Sequence, residues 1–310
     1  MTEQFLNYLT LERNYSPRTV QAYGDDLREF ELYLKELDNH ISWQSVDSDI
    51  IRGWMEYMMD RGNNATSINR RLSALRSFYR FALKRHLVDA DPAHMVSGPK
   101  KSKPLPVFLK EKEMEQLLDE RMWTSSYSDV LARTLLILFY ETGIRLSELT
   151  GLDEASVDMV TRELKVTGKR DKQRIIPFGD GLAGTLRTYL EVRESLPAHN
   201  SKALLLSAKG ERLTSSQVRY IVRKNVARVS TQKKKSPHVL RHTFATVMLN
   251  HEAGLESVKK LLGHESLSTT EIYTHTTFEQ LKNVYEAAHP RSHELNVGGD
   301  IPPQNNNLNH

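Results

Sequence analysis

The 310-residue chain carries 43 lysines and arginines against 39 acids, for a formal net charge of +4 and a sequence pI of about 9.0. This balance permits a nucleic-acid partner without demanding one. The absence of cysteine excludes disulfides, thiolate metal sites and cysteine nucleophiles. The longest apolar run, at 135–140, is too short to span a bilayer, and MTEQFLNYLTLERN lacks the basic start and apolar stretch of a signal peptide, so no membrane and a cytoplasmic location are expected.

At about 150 residues per domain, the length suggests two domains. A short helix is predicted over 5–11. Ser16-Pro17 then signals a helix start, and Val20, Tyr23, Leu27, Phe30, Leu34 and Leu37 recur at helical spacing. Asp47 can cap a third helix that ends near Gly62. The fourth, over 66–86, has the apolar stripe Ile68, Leu72, Leu75, Tyr79 and Ala82. Opposite much of that stripe, Asn69, Ser73, Arg76 and Arg80 share a face, which reads as a DNA-touching surface or as a plain solvated one. These helices make a bundle over 1–96. The run SGPKKSKPLP opens a linker over 97–108, where Lys100, Lys101 and Lys103 suit a DNA backbone.

The second domain, 109–290, reads as mainly helical with a small β-sheet (α+β). Helices are predicted over 110–121 and 127–141, the latter ended by Thr142-Gly143. Extended runs at 163–166 and 173–178 flank GKRDK, a hairpin with a basic turn. Helices follow over 181–195, 215–229, 238–251 and 255–262. A short helix near Ser268 leads to Tyr273, and another helix covers 278–288. The tail, 291–310, is polar and expected to be disordered.

Three segments bear chemistry. Arg145 follows the glycine that ends a helix, and Glu148 at i+3 is placed to steer it; alone, such an arginine is more often a surface residue. Ser236-Pro237 starts a helix whose first turn holds His238 and Arg241, a phosphate-competent pair. His238 and His242 also have metal-pair spacing, but Val239 stands where a zinc protease needs glutamate, so no metal is expected. Gly263 reads as a C-cap that presents His264. Tyr273 is one of 12 tyrosines, and chemistry alone does not select it.

Taken together, TGIRLSEL, TGKRDKQRIIPF, PHVLRHTFAT and LLGHESLSTTEIYTH resemble the motifs of the tyrosine recombinase family, and Ala288-His289-Pro290-Arg291 resembles its Xer branch in particular. The resemblance covers nearly the whole chain, and all six expected positions match: Arg145, Lys169, His238, Arg241, His264 and Tyr273. It implies an N-terminal helical, SAM-like core-binding domain and a C-terminal catalytic domain. It further implies cleavage and rejoining of DNA strands through a 3′-phosphotyrosyl link made by Tyr273. Arg145 and Arg241 would neutralise the non-bridging oxygens, and His264 would add a further hydrogen bond. His238 would accept the tyrosine proton and Lys169 would protonate the leaving 5′ oxygen. No cofactor is implied.

The implied partners are a double-stranded DNA recombination site and a tetramer, formed by this chain alone or with a related recombinase, with room for an activating cell-division protein. Resolution of chromosome or plasmid dimers is the leading role. The alternatives are an integrase of a mobile element, a nicking-closing topoisomerase and a non-catalytic DNA-binding protein. The length leaves no room for the extra arm-binding domain of many integrases. Leu281, Val284 and Tyr285 fit docking into a neighbouring protomer and packing within the chain equally well.

Overall fold

In the computed structural model the chain divides into two units, Met1–Leu105 and Pro106–His310. The described residues are 1–101, 107–168, 171–196, 201–263 and 275–292.

The first unit is built from α1 (Thr2–Leu11), α2 (Pro17–Leu37), α3 (Ser48–Asp60) and α4 (Ala65–Lys84). Its helix starts are written locally. Ser16 Oγ accepts from the Thr19 amide at 3.2 Å, Asp47 from the Asp49 and Ile50 amides at 2.9 and 2.8 Å, and Asn64 from the Ser67 amide at 2.9 Å. Each satisfies backbone donors that the first helical turn leaves unpaired. The predicted stripe of α4 is buried throughout, against Phe5, Phe30 and Trp54 among others. One carboxylate, Asp26 of α2, is buried inside this bundle and paired with Arg70 and Arg71 of α4. Leu37, the last residue of the predicted α2 stripe, is exposed, because the helix ends there.

The second unit centres on α6 (Tyr127–Thr142), whose residues 134–142 are all buried. Around it pack α5 (Glu111–Leu118), α8 (Asp180–Arg193), α9 (Ser215–Val226) and α10 (Pro237–Asn250). The short α7 (Leu146–Thr150) follows α6 directly. A three-stranded antiparallel sheet holds β1 (Val157–Asp158), β2 (Glu163–Thr167) and β3 (Gln173–Pro177) in chain order. Strands β2 and β3 are the predicted hairpin, with Leu164 opposite Ile176 and Val166 opposite Arg174. The two-residue β1 is too short to leave a periodic signal in the sequence.

The last described elements are α11 (Leu255–Leu262) and α12 (His275–Ala288). Helix α12 packs within its own chain. Leu281, Tyr285 and Ala288 are buried against Phe244, Met248, Val258, Leu261 and Leu262 of α10 and α11. Arg291 and Ser292, the first two residues of the expected polar tail, belong to the fold. Arg291 Nε donates to the buried Glu141 carboxylate at 2.9 Å, and Ser292 is buried where its carbonyl accepts from the Asp180 amide at 3.3 Å. A buried carboxylate at the end of α6 requires a counter-charge, and Arg291 supplies it. The short helix expected near Ser268 lies outside the described residues, as does the tail beyond Ser292. Among the described residues no helix is long and apolar enough to cross a membrane.

Candidate active site

The site begins where α6 stops. Gly143 has a left-handed φ of +57°, and a Cβ there would lie 2.5 Å from Phe244 Cδ1 and 2.8 Å from Leu262 Cδ2. Only glycine both adopts this turn and lets α6 meet α10 and α11 so closely. The turn delivers Arg145 as the N-cap of α7. Glu148, one turn later, closes a box: its carboxylate accepts from the Arg145 backbone N–H at 2.8 Å and from Arg145 Nη1 at 2.8 Å. The predicted i+3 steering is therefore present, and it makes Arg145 a held side chain.

Helix α10 begins at Pro237. Its first turn leaves His238 exposed and turns Arg241 inward. Arg241 donates through Nη1 to the Gly143 carbonyl and through Nη2 to the Leu262 carbonyl at 2.6 Å. Among the described residues it makes no salt bridge. Burial, followed by the neighbouring charges of Arg145 and Arg174, pushes its pKa down to about 10, so it remains a cation at neutral pH.

A third arginine completes the arrangement. Arg174 of β3 forks onto both oxygens of Glu148 at 2.5 and 2.9 Å, and its Nε donates to the Leu261 carbonyl at 3.2 Å. Arg145 Nη2 reaches the Gly263 carbonyl at 2.5 Å. The three consecutive carbonyls at the end of α11 thus each receive a different arginine: Leu261 from Arg174, Leu262 from Arg241, and Gly263 from Arg145. These carbonyls are the negative end of a helix, where cations are stabilised. Gly263, with φ +64°, is the predicted left-handed cap, and the chain leaves it toward His264.

Among the described residues Glu148 is the one carboxylate paired with these guanidiniums. Burial would raise its pKa, but the bonds and charge of Arg174, joined by Arg145, hold it below the ordinary carboxylate range. Among the described residues the cluster therefore keeps a surplus of positive charge, and Arg145 and Arg241 each carry more N–H groups than the bonds they make there. The hairpin sits against this cluster: a Cβ at Gly168 would lie 3.3 Å from Glu148 Oε1, and the Gly168 amide donates to the Lys172 carbonyl at 2.7 Å. Lys169, His264 and Tyr273 lie outside the described residues. Their described flanks are Gly168 on Glu148, Gly263 on Arg145, and the start of α12 at His275.

The sequence profile of the phage integrase family matches residues 107–280, and that of the phage integrase N-terminal SAM-like domain matches residues 2–86. The chain belongs to the phage integrase family, the tyrosine recombinases. It is 38% identical over 315 residues to the tyrosine recombinase XerC of Chlorobaculum tepidum, covering 93% of this chain and 94% of that one. It is 40% identical over 300 residues to the XerC of Pelotomaculum thermopropionicum, covering 94% and 98%. Among solved structures, a XerH site-specific recombinase bound to palindromic difH substrate shares the fold, with a TM-score of 0.70 and 22% identity over 92% of this chain and 84% of that one.

In this recombinase the expected DNA-facing residues of α4 divide. Asn69 Nδ2 donates to the Ala65 carbonyl at 2.7 Å and the Pro99 carbonyl at 2.8 Å. Arg76 donates to the Ala93 carbonyl at 3.2 Å and to the Val96 carbonyl. Both hold the segment after α4 onto the helix. That segment, 93–99, lies outside any helix or strand, so its carbonyls need side-chain donors. Ser73 is exposed and bonds back to the Asn69 carbonyl at 2.8 Å. Arg80, Lys100 and Lys101 are exposed, and Lys103 lies outside the described residues. Helix α9 carries a basic face that the sequence reading missed. Arg219, Tyr220, Arg223 and Lys224 are exposed, while Val218 and Val222 face the core. Basic residues at i and i+4 outside an apolar pair are the signal that would have found it.

Proposed function

We propose that this chain is a site-specific recombinase of the Xer kind, which cuts and rejoins DNA through a 3′-phosphotyrosyl bond made by Tyr273. The observation that carries the reading is the pair Arg145 and Arg241, anchored on adjacent carbonyls with their charge only partly balanced. A phosphodiester is an anion that resists a nucleophile. Two fixed guanidiniums take its non-bridging oxygens and favour the charge that builds up in the transition state. One such donor is worth about 3 kcal/mol, roughly a hundredfold in rate.

Tyr273 Oη attacks phosphorus as His238 accepts its proton, and the phosphotyrosyl bond replaces the bond to the 5′ oxygen. Lys169 protonates that oxygen as it leaves. A 5′-hydroxyl from the partner strand then reverses the step, so the bond energy is conserved within the covalent link. His264 supplies a further hydrogen bond to the phosphate. No cofactor enters these steps.

Ser73, Arg80, Lys100, Lys101 and Lys103 contact DNA, with Asn69 and Arg76 shaping that surface. The α9 face adds a second contact. The partner is a double-stranded recombination site, bound by a tetramer of this chain or of this chain with a related recombinase. The cellular role is resolution of chromosome or plasmid dimers in the cytoplasm, linked to chromosome partition and responsive to a cell-division protein. Near-full-length similarity to XerC proteins supports this over a mobile-element integrase.

The test is covalent capture. A pool of nicked duplexes with randomised arms is incubated in EDTA with wild-type protein and with Tyr273→Phe. Detergent-resistant adducts with wild type alone, mapped to Tyr273, are expected. Adducts with both proteins would move the nucleophile elsewhere, and specific binding without any adduct would reduce the chain to a DNA-binding protein.

A further inference from the structure

Arg174 lies outside the six positions that the family resemblance marks. It is buried on β3, opposite Val166. A guanidinium is costly to bury unless its donors are met. Here Nη1 and Nη2 meet the two oxygens of Glu148, and Nε meets the Leu261 carbonyl. Glu148 in turn holds Arg145 by side chain and backbone. The left-handed cap of α11 rests on the same side chain: a Cβ at Gly263 would lie 3.1 Å from Arg174 Cδ and 3.2 Å from its Nε. The base of the β2–β3 hairpin also abuts Glu148, through Gly168.

We propose that Arg174 is a positioning residue for DNA cleavage, holding Arg145 in place through Glu148 while pinning the end of α11 from which the chain runs on to His264. This rests on the recombinase reading above. Arg174 is not placed on the phosphate, because it is buried and each of its three nitrogens is bonded inside the protein. It ties the hairpin strand, the start of α7 and the end of α11 into one unit, so the approach of any one of them to the DNA is felt by the other two. Lysine cannot replace it. An ammonium matches the charge of Glu148 but cannot fork both oxygens and reach Leu261 at once.

Among the described residues the charged groups facing Glu148 are Arg145 from the start of its own helix, Arg174 from β3 and Arg241 from α10. Without Arg174, Glu148 remains buried with less positive charge around it, so it takes up a proton more readily. Protonation would loosen its hold on Arg145. A merely structural role for Arg174 gives no such proton dependence.

The experiment uses full-length protein and a nicked duplex selected by covalent capture with the wild type. Arg174→Lys, Arg174→Met and the double variant Arg174→Met/Glu148→Gln are compared with wild type in thermal melting, binding to that duplex and single-turnover cleavage. Binding is expected to stay within about twofold, while cleavage falls roughly tenfold for lysine and a hundredfold for methionine, the scale of a misplacement of about 1 Å. Arg174→Met should also lose activity toward acid more steeply than wild type, and the double variant should lack this extra loss. Wild-type rates in both single variants would overturn the inference. So would losses that track binding and melting with no added acid limb. If the methionine variant does not fold, Arg174→Lys decides: wild-type cleavage by that variant overturns the inference. Failure of wild-type protein to capture any duplex would overturn the recombinase reading and this inference with it, whereas capture by wild type with unimpaired Arg174 variants overturns the inference alone.

Discussion

Arg145 and Arg241 end on adjacent peptide carbonyls of one helix, Arg145 Nη2 on Gly263 at 2.5 Å and Arg241 Nη2 on Leu262 at 2.6 Å. Their spacing is set by one peptide unit at the end of α11, not by two flexible side chains. Helix carbonyls stabilise the cations without cancelling them. In the proposed reaction an arriving phosphate would meet charge that is already oriented, leaving little reorganisation for the reaction itself.

Arg241→Lys is expected to lower single-turnover cleavage by roughly a hundredfold to a thousandfold, with DNA binding nearly intact. A lysine keeps the charge but cannot bond the Gly143 and Leu262 carbonyls and the phosphate together. Cleavage within a few-fold of wild type would remove Arg241 from the phosphate site.

Glu141 governs stability on the neutral side. It is wholly buried, and burial outweighs Arg291 to push its pKa up from 4.5 to about 7. A raised folded-state pKa means that the stabilising contribution is complete below 4.5 and is lost as pH rises through 7. The shift corresponds to about 3 kcal/mol. Urea midpoints of wild type should fall between pH 4.5 and 7 relative to Glu141→Gln, the interval between the ordinary and the raised value. Parallel curves would show that the ionised pair with Arg291 is fully compensated.

His289 acts in the opposite direction. It is buried between Phe244 and Tyr285, its Nε2 lies 3.3 Å from the Tyr140 carbonyl, and burial lowers its pKa from 6.5 to about 3. A depressed folded-state value gives stability that is present above 6.5 and lost as pH falls through 3. His289→Phe keeps a ring in the stack, so its melting temperature should decline less between those limits than that of wild type. An unchanged acid slope would place the proton uptake elsewhere.

The two left-handed glycines of the site should differ in cost. Gly143→Ala meets Phe244 and Leu262 at clashing distance, so backbone strain and overpacking together should destabilise by about 3 kcal/mol. Gly263→Ala meets the flexible Arg174 side chain as its nearest described neighbour, at 3.1 Å, and should cost about 1 kcal/mol. Denaturant titration checks the order, and equal losses would contradict the packing described here.

Binding to DNA should weaken steeply with salt, because exposed Arg80 and the α9 residues Arg219 and Arg223 form no salt bridge among the described residues. Arg80→Ala and Arg223→Ala should each reduce the slope of log affinity against log salt by about 1. A slope unchanged by either substitution would move the phosphate contacts to other residues.

Features that depend on near neighbours are legible in the amino-acid order. Ser16, Asp47 and Asn64 start helices because a cap reaches only two or three residues ahead. The stripe of α4 is buried as its period requires, and Arg145 meets Glu148 because i and i+3 adjoin at the start of a helix. The ordered motifs carried the family for the same reason: each is a short local string. Contacts that cross the chain depend on the folded arrangement. Arg174 leaves no local signal, because its partners, Glu148 and Leu261, lie far away in sequence and become neighbours only when β3, α7 and α11 close together. Arg291 looked like tail until Glu141 was found buried beside it, and Asn69 and Arg76 looked free until the segment after α4 folded back to use their donors. Periodicity records which face of an element is apolar. It does not record which buried polar group will require a partner, because that demand arises only once burial has removed the water that would otherwise meet it.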